Sequence, residues 1–400
     1  MAELSTADPL VLAFNSGSSS VKFALLDPVT GTRTVEGLAA RVGAPEVSIQ
    51  LKRDKESASV SVPSQAGHMQ VIEAMIHAMS ESERGTISVI GHRIVHGGGR
   101  FTESVRIDDA VLAGIAEVAD LAPLHIAGAL AGIHATRAQL PGISDVAVFD
   151  TAFHRTLPPR AYRYAVPRAW FHDHGLRKFG FHGISHSYVA TRAALLLGRD
   201  LQELHVVTVH LGNGCSACAI REGISVDTSM GMTPLEGLVM GTRSGDIDPG
   251  SLAFIGHRLG LDLDGVTSEL TNASGLLGLS GISQDMRQVV EAAETGSADA
   301  LLALDVFAYR AAKSVCAMAA ALDRVDAVVF TGGIGEHSPI VRSKIMHHLK
   351  VMGVAEDALA NMNHGINGSG RISIPGSTSV LVVPTDEELL IARDASALVD

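Results

Sequence analysis

Leu10-Val-Leu-Ala-Phe14, Asn15-Ser-Gly-Ser-Ser-Ser20 and Val21-Lys-Phe-Ala-Leu25 follow one another without interruption and decide the fold. The first run is apolar at both parities, the pattern of a strand buried on both faces. The Asn/Gly/Ser run turns the chain, and the alternation of Val21, Phe23 and Leu25 predicts a returning strand. The two-residue period puts Ser18, Ser20 and Lys22 on one side of that strand, away from the apolar face. Hydroxyls and an ammonium therefore line one edge of a strand–turn–strand unit. Such a loop brings backbone N–H groups close to an anion, and the lysine adds a point charge. A single Gly/Ser loop of this kind is by itself more often an ordinary hairpin turn.

The same grammar returns about 195 residues later, as expected of a duplicated chain. Val206-Val-Thr-Val209 precedes His210-Leu-Gly-Asn-Gly214, and Cys215-Ser-Ala-Cys-Ala-Ile220 follows. Val146-Ala-Val-Phe149, ending in Asp150-Thr, matches Ala327-Val-Val-Phe330, ending in Thr331-Gly-Gly-Ile-Gly335. Between the strands the period changes: Ile72, Met75, Ile76 and Met79 fall at i, i+3, i+4 and i+7 of a helix. Pro249, at the first helical position after Asp248, opens a second helix that Gly260 closes, and 298–322 is the longest helical stretch. The class is α/β. In such sheets ligands gather beyond the carboxyl ends of the strands, so the loops at Asn15, Asp150, His210 and Gly332 are expected to face one interdomain cleft.

Composition narrows the function. The 400 residues carry 31 Lys+Arg against 43 Asp+Glu, a net charge of −12, with 46% hydrophobic residues. That balance excludes a disordered chain and provides no cationic field for nucleic acid or an anionic membrane. The opening MAELSTADPL lacks the pattern of a secretion signal, and no stretch of about 18 residues is free of polar breaks. The three cysteines cannot build a disulfide framework, and a cytoplasmic location is expected. The glycine loops match neither the Walker A pattern nor the dinucleotide fingerprint, so a nucleotide site here must have another architecture.

Two arginines stand in glycine-rich or polar settings, Gly91-His-Arg93-Ile-Val-His96-Gly-Gly-Gly99 and Gly241-Thr-Arg243-Ser-Gly-Asp246-Ile-Asp248. A guanidinium fork suits an oxyanion; the alternative for either arginine is a helix cap or an ion pair, for Arg243 with Asp246 or Asp248. Phe179-Gly-Phe181-His182-Gly-Ile-Ser185-His186 leaves His182 on a turn before a helix expected near Ser187, where an imidazole could meet a phosphoryl group. His172, His174, His347 and His348 read as solvated. Cys215 and Cys218, at i and i+3 of a strand, point to opposite faces and read as packing residues.

Together these segments resemble the acetate and propionate kinase family, the acetokinase branch of the sugar kinase, heat-shock protein and actin superfold. The resemblance also runs through Leu121-Ala-Pro-Leu-His125, Val148-Phe-Asp-Thr-Ala-Phe-His154, Asp227-Thr-Ser-Met-Gly-Met-Thr-Pro-Leu-Glu-Gly237 and Pro384-Thr-Asp-Glu-Glu388. It implies duplicated actin-like (ribonuclease H-like) domains with an interdomain cleft. One domain spans about 1–150 and is rejoined by a C-terminal helix over 385–400; the other spans 151–384 and holds the nucleotide loops and a dimer interface. It also implies transfer of the ATP γ-phosphoryl group to a short carboxylic acid, with Mg²⁺ or alternatively Mn²⁺, in a homodimer. Acetate, ATP and acetyl phosphate are the implied partners, with no nucleic acid and no membrane.

By the same resemblance Asn15 and Glu387 hold the metal, and Arg93, His125, Asp150, His182 and Arg243 surround the transferring group. Val95, Leu124, Phe181 and Pro234 line the acid's alkyl group, with Arg93 at its carboxylate. ATP is implied to contact Lys22, His210, Leu211, Gly212, Asn213, Gly214, Asp285, Met286, Arg287, Gly333, Ile334, Gly335, Glu336 and His337. Ile126 after His125 and His337 after Glu336 depart from the family pattern, which has Asn at both places. A short carboxylic acid, with a pKa of about 4–4.5, is already an anionic nucleophile at neutral pH, so no general base is required and direct in-line transfer is the simplest route. The alternatives are a propionate or butyrate kinase, differing in pocket volume, and an actin-like ATPase that needs no acid.

Overall fold

The computed structural model describes residues 9–17, 19–54, 56–365 and 369–399, without the side chains of Pro123 and Leu124. Ser18 lies outside the described residues. The chain forms two compact units, one running up to Ala152 and again from Asp386, the other spanning Phe153–Thr385.

The first unit is built on β1 (Leu10–Ser16), β2 (Ser20–Leu26), β3 (Arg33–Ala40), β4 (Ser48–Arg53), β5 (Glu56–Val60), β6 (Ile87–Ile94), β7 (Val105–Arg106) and β8 (Ser144–Phe149). They form one sheet in the order β5-β4-β3-β2-β1-β6-β8-β7. β1 is buried along almost its whole length, as a strand apolar at both parities must be. It pairs antiparallel with β2, Asn15 opposite Lys22, and parallel with β6, Phe14 opposite His92. One face packs on the His68–His77 helix, where Ile72, Met75 and Ile76 are fully buried with Phe14 and Phe23. The other receives the Glu387–Ser396 helix, which approaches closely at Gly91: a Cβ there would stand 2.6 Å from the Ile391 side chain. That close approach seats the first turn of the helix beside the end of β1.

The second unit contains β9 (His205–Leu211), β10 (Cys215–Arg221), β11 (Ile224–Thr228), β12 (Ala327–Thr331) and β13 (Ser379–Val382), in the order β11-β10-β9-β12-β13. β9, β10 and β12 are buried almost completely. The longest described helix, Ala298–Ala319, buries an alanine-rich stripe.

The duplication is visible in topology: β3-β2-β1-β6-β8 and β11-β10-β9-β12-β13 repeat the same order and the same antiparallel-to-parallel change. The expected match of the Val146 strand to the Ala327 strand is corrected. β12 lies directly beside β9 as β6 lies beside β1, so β12 corresponds to β6 and β8 to β13. Both are apolar parallel strands, and composition cannot tell which slot each takes; the crossovers do. Two helix starts also differ. The helix expected near Ser187 begins at Gly183, with His182 as its left-handed N-cap (φ 55°), and Pro249 is the N-cap, not the first residue, of Gly250–Leu259. No described helix is long and apolar enough to cross a membrane.

Candidate active site

In the first unit three strand ends and one helix bring charge together. Arg93, near the end of β6, donates from Nη2 to Asp150 Oδ2 at 2.5 Å and from Nη1 to Asn15 Oδ1 at 2.9 Å. Asn15 Nδ2 in turn donates to Glu387 Oε2 at 2.6 Å and to Glu388 Oε1 at 3.2 Å, from the start of the Glu387–Ser396 helix. Arg93 Nε is buried with no hydrogen-bond partner among the described residues. Burial opposes the Arg93 charge, but Asp150, Glu387 and Glu388 more than offset it and raise its pKa. Burial first, and then Glu387, push the Glu388 carboxyl upward. One guanidinium therefore faces three carboxyl groups, with Lys22 also acting on Glu388, and the carboxyl groups remain in excess. Among the described residues no group of three or more His, Cys, Asp or Glu is arranged to hold a metal by itself. Glu387 and the Asn15 amide are hard oxygen donors, a set that suits Mg²⁺ completed by water and substrate phosphates.

Val95 is buried just beyond β6, and His125 lies half-buried in the first turn of the Pro123–Gln139 helix. Ile126 is fully buried in the core. Lys22 stands exposed on β2, on the side opposite Val21 and Phe23.

The second unit has the opposite electrostatics. Arg243 Nη1 donates to the Pro234 carbonyl at 2.7 Å. No carboxylate lies within ion-pair distance of it among the described residues, neither Asp246 nor Asp248; Asp246 instead accepts from the Gly237 amide at 2.8 Å. Burial accordingly pulls the Arg243 pKa down. At Gly214 a Cβ would stand 2.9 Å from Arg243 Nη2 and 3.3 Å from His182 Nε2, so guanidinium and imidazole converge on the bare backbone of the β9–β10 turn.

His182 is held from behind. Its Nδ1 meets Ser216 Oγ at 2.8 Å, and the same hydroxyl meets His186 Nε2 at 2.8 Å, while His186 Nδ1 meets Thr208 Oγ1 at 2.7 Å. Burial keeps His186 well below the usual histidine pKa, hence neutral. Ser216 has one proton, so it donates to one imidazole and accepts from the other, and the chain orients His182 through a single hydroxyl. The His210 ring stacks on His182 at 4.3 Å, with its Nδ1 bonded to Ser185 Oγ at 2.8 Å. Phe181, beside His182, is buried; its carbonyl accepts from His154 Nε2 at 3.0 Å, leaving Nδ1 to accept from Ser225 Oγ at 2.8 Å.

The other nucleotide-loop expectations fall in the same unit. Leu211 is fully buried, so only its backbone can meet a ligand, whereas Asn213 is exposed and its carbonyl accepts from the Gly241 amide at 3.0 Å. Gly212 N donates to Gly214 O at 3.0 Å and closes the turn. Gly332 (φ 76°) passes so close to Leu211 O that a Cβ would stand 2.8 Å from it. Gly333 and His337 are exposed, Ile334 half-buried and Gly335 buried. Glu336 turns back and accepts from the Gly332 and Thr385 amides at 3.0 and 3.1 Å, which braces the loop. Asp285 caps Met286–Glu294 by accepting from Arg287 N at 2.9 Å and pairs with the Arg287 guanidinium at 2.6 Å; Met286 is buried. His172, His174, His347 and His348 are exposed, and Cys215 and Cys218 are buried thiols pushed up to about 12 by desolvation.

Fold and charge pattern define a phosphotransferase of the actin-like class. Residues 10–393 match the acetokinase family, and the chain belongs to it. It is 48% identical over 388 residues to acetate kinase from Deinococcus radiodurans, covering 97% of this chain and 98% of that protein. Among solved structures it resembles a propionate kinase from Francisella tularensis (TM-score 0.92, 40% identity, 98% and 100% of the two chains). It also resembles acetate kinase from Porphyromonas gingivalis (TM-score 0.88, 40% identity, 98% and 100% coverage).

Glu388 escaped the sequence reading because its neighbour Glu387 accounted for the acidic motif. The Ser216–His186–Thr208 chain escaped it because hydroxyls on buried strands read as packing.

Proposed function

We propose that this protein is an acetate kinase, moving the γ-phosphoryl group reversibly between ATP and acetate to give acetyl phosphate and ADP. The near-full-length identity to acetate kinases carries the reading. The charge arrangement supports it. Acetate arrives as an anion and needs no proton acceptor, whereas a kinase acting on a hydroxyl needs a carboxylate base. Asp150 is paired with Arg93, a setting that suits it to position that guanidinium rather than to take a proton from substrate.

In this mechanism Arg93 holds the acetate carboxylate, and Val95, Leu124, Phe181 and Pro234 take its methyl group. Arg243, His182 and His125 offset the charge that develops on the phosphoryl oxygens during direct in-line transfer. Lys22, the His210–Gly214 turn, Asp285–Arg287 and the Gly333–His337 loop bind ATP. Asn15 and Glu387 would hold Mg²⁺, which when bound neutralises phosphate charge. The exposed apolar side chains Phe254, Leu259, Leu263 and Leu302 support a homodimer through the second unit. Three free thiols support a cytoplasmic location.

Propionate is a second acceptor in this reading, because the similar Francisella protein is a propionate kinase and one methylene is worth only about 1–3 kcal/mol of discrimination. The test supplies Mg²⁺–ATP with acetate, propionate, butyrate, glucose or no acceptor, traps acyl phosphate with hydroxylamine and follows ADP. Hydroxamate from acetate above the other acids is expected. ADP release without hydroxamate would replace this reading with an ATPase or a sugar kinase.

A further inference from the structure

Glu236 lies in the loop between β11 and Arg243, and its carboxylate ties that loop to two other segments. Lys178 Nζ pairs with Glu236 Oε1 at 2.7 Å and also donates to the Ser229 carbonyl at 3.3 Å. The Tyr164 hydroxyl, kept protonated by burial and by the Glu236 charge, donates to Glu236 Oε2 and accepts from the Met232 amide at 3.1 Å. The packing leaves no slack: a Cβ at Gly231 would overlap both the Glu236 carboxylate and the Tyr164 hydroxyl.

Two carbonyls of the same loop reach the candidate catalytic groups. Gly231 O accepts from the Phe179 and Gly180 amides at 3.0 and 3.2 Å, immediately before Phe181 and His182. Pro234 O accepts from Arg243 Nη1 at 2.7 Å, the single hydrogen bond on that guanidinium among the described residues. The loop is thus the spacer between the imidazole and the guanidinium that converge on Gly214, and the Tyr164–Glu236–Lys178 knot holds the spacer.

We propose that Glu236, acting with Tyr164 and Lys178, is a positioning residue for phosphoryl transfer that sets where Arg243 and His182 stand relative to each other. The proposal rests on the phosphotransfer reading above. Glu236 touches no reacting atom in this account; its effect runs through the Gly231 and Pro234 carbonyls. Because a misplacement of about 1 Å can reduce a rate 10²-fold, loosening the knot lowers turnover far more than nucleotide affinity.

The test compares Glu236→Gln, Glu236→Ala and Tyr164→Phe, each alone and combined with Arg243→Ala, in the acetate hydroxamate assay. Expected are kcat losses of about 3–30-fold for E236Q and Y164F and about 10²-fold for E236A, with the KM for ATP within about twofold. In the R243A background the same changes should cost less than about threefold, since the group they position is gone. Should E236A fail to fold, E236Q and Y164F, which keep the shape of the knot, decide. Unchanged kcat in folded E236Q and Y164F would overturn the proposal, as would equal losses with and without Arg243. A wild-type enzyme that forms no hydroxamate would instead overturn the phosphotransfer reading, and the positioning role with it.

Discussion

Arg243 and its surroundings make a prediction in which activity and stability separate. The guanidinium has five N–H donors and a fixed charge, and among the described residues it meets one carbonyl and no carboxylate. Burial penalises that charge, as the lowered pKa records. A cation left in this state is unfavourable for folding and useful only to an incoming anion. One arginine acting on a phosphoryl transition state is worth about 10³–10⁵ in rate, or about 4–7 kcal/mol. Arg243→Met keeps most of the length of the side chain and removes the charge. It should lower kcat at least about 10²-fold, equivalent to about 2.7 kcal/mol, with little change in the KM for ATP. Arg243→Lys keeps the charge without the fork and should fall between. The urea midpoint of Arg243→Met should stay level or rise, because a buried charge without a partner has been replaced by an apolar chain. Hydroxamate kinetics and urea titration read the two arms. A defect confined to KM would refute the transition-state role, and a stability loss of more than about 1 kcal/mol would refute the electrostatic account of the folded state.

Arg93 should behave in the opposite way: Arg93→Met leaves Asp150, Glu387 and Glu388 without their common cation and should destabilise the protein by about 3–5 kcal/mol, seen as a lower urea midpoint at pH 7.5. His154, buried and bonded at both ring nitrogens, has its pKa pulled down to about 4 by desolvation. The unfolded chain takes up that proton near pH 6.5 and the folded one does not until about 4. Stability is therefore full above about 6.5 and is lost as pH falls toward 4, by about 3 kcal/mol from this group, with His186 acting in the same direction. Urea midpoints at pH 7.5 and 5.0 measure the slope, and His154→Gln should flatten it. Val95, buried beside the Arg93 strand, should limit the acid pocket, so Val95→Ala should raise the propionate-to-acetate ratio of kcat/KM about tenfold in the hydroxamate assay.

What could be read from the sequence was what the backbone period records directly. β1 and β9 were legible because a strand buried on both faces must be apolar at both parities, and the Ile72 helix because its stripe repeats every three to four residues. β5 was not legible, since its residues are mostly exposed and carry no apolar alternation. Nor was the slot of β12 in its sheet, which connections fix rather than composition. Among site residues, Arg93 and Arg243 stood out by their glycine-rich or polar settings, but their different counter-charges could not. Asp150, Glu387 and Glu388 reach Arg93 from 57 or more positions away in sequence, whereas Asp246 and Asp248, close to Arg243 in sequence, do not pair with it. Glu236, Tyr164 and Lys178 are likewise separated by 58 and 72 residues. The one local trace of their knot is Gly231, a glycine required by close approach rather than by a turn.

The contrast between the two arginines also bears on how each unit is prepared for its ligand. In the first unit the carboxyl groups outnumber the guanidinium, and Glu388 is already driven toward its protonated form by burial and by Glu387. That surplus is relieved by a hard cation and worsened by a free polyanion. In the second unit the charge is reversed: Arg243 lacks a carboxylate, and His182 reaches the same glycine turn. An unaccompanied phosphate is favoured there. The two units thus carry opposite local charge, a carboxyl surplus around Arg93 in one and an uncompensated guanidinium at Arg243 in the other. Arg93 is locked by hydrogen bonds to Asp150 and Asn15, while among the described residues Arg243 is held only by the Pro234 carbonyl. The first guanidinium holds clustered carboxyl groups together, and the second keeps most of its donors uncommitted.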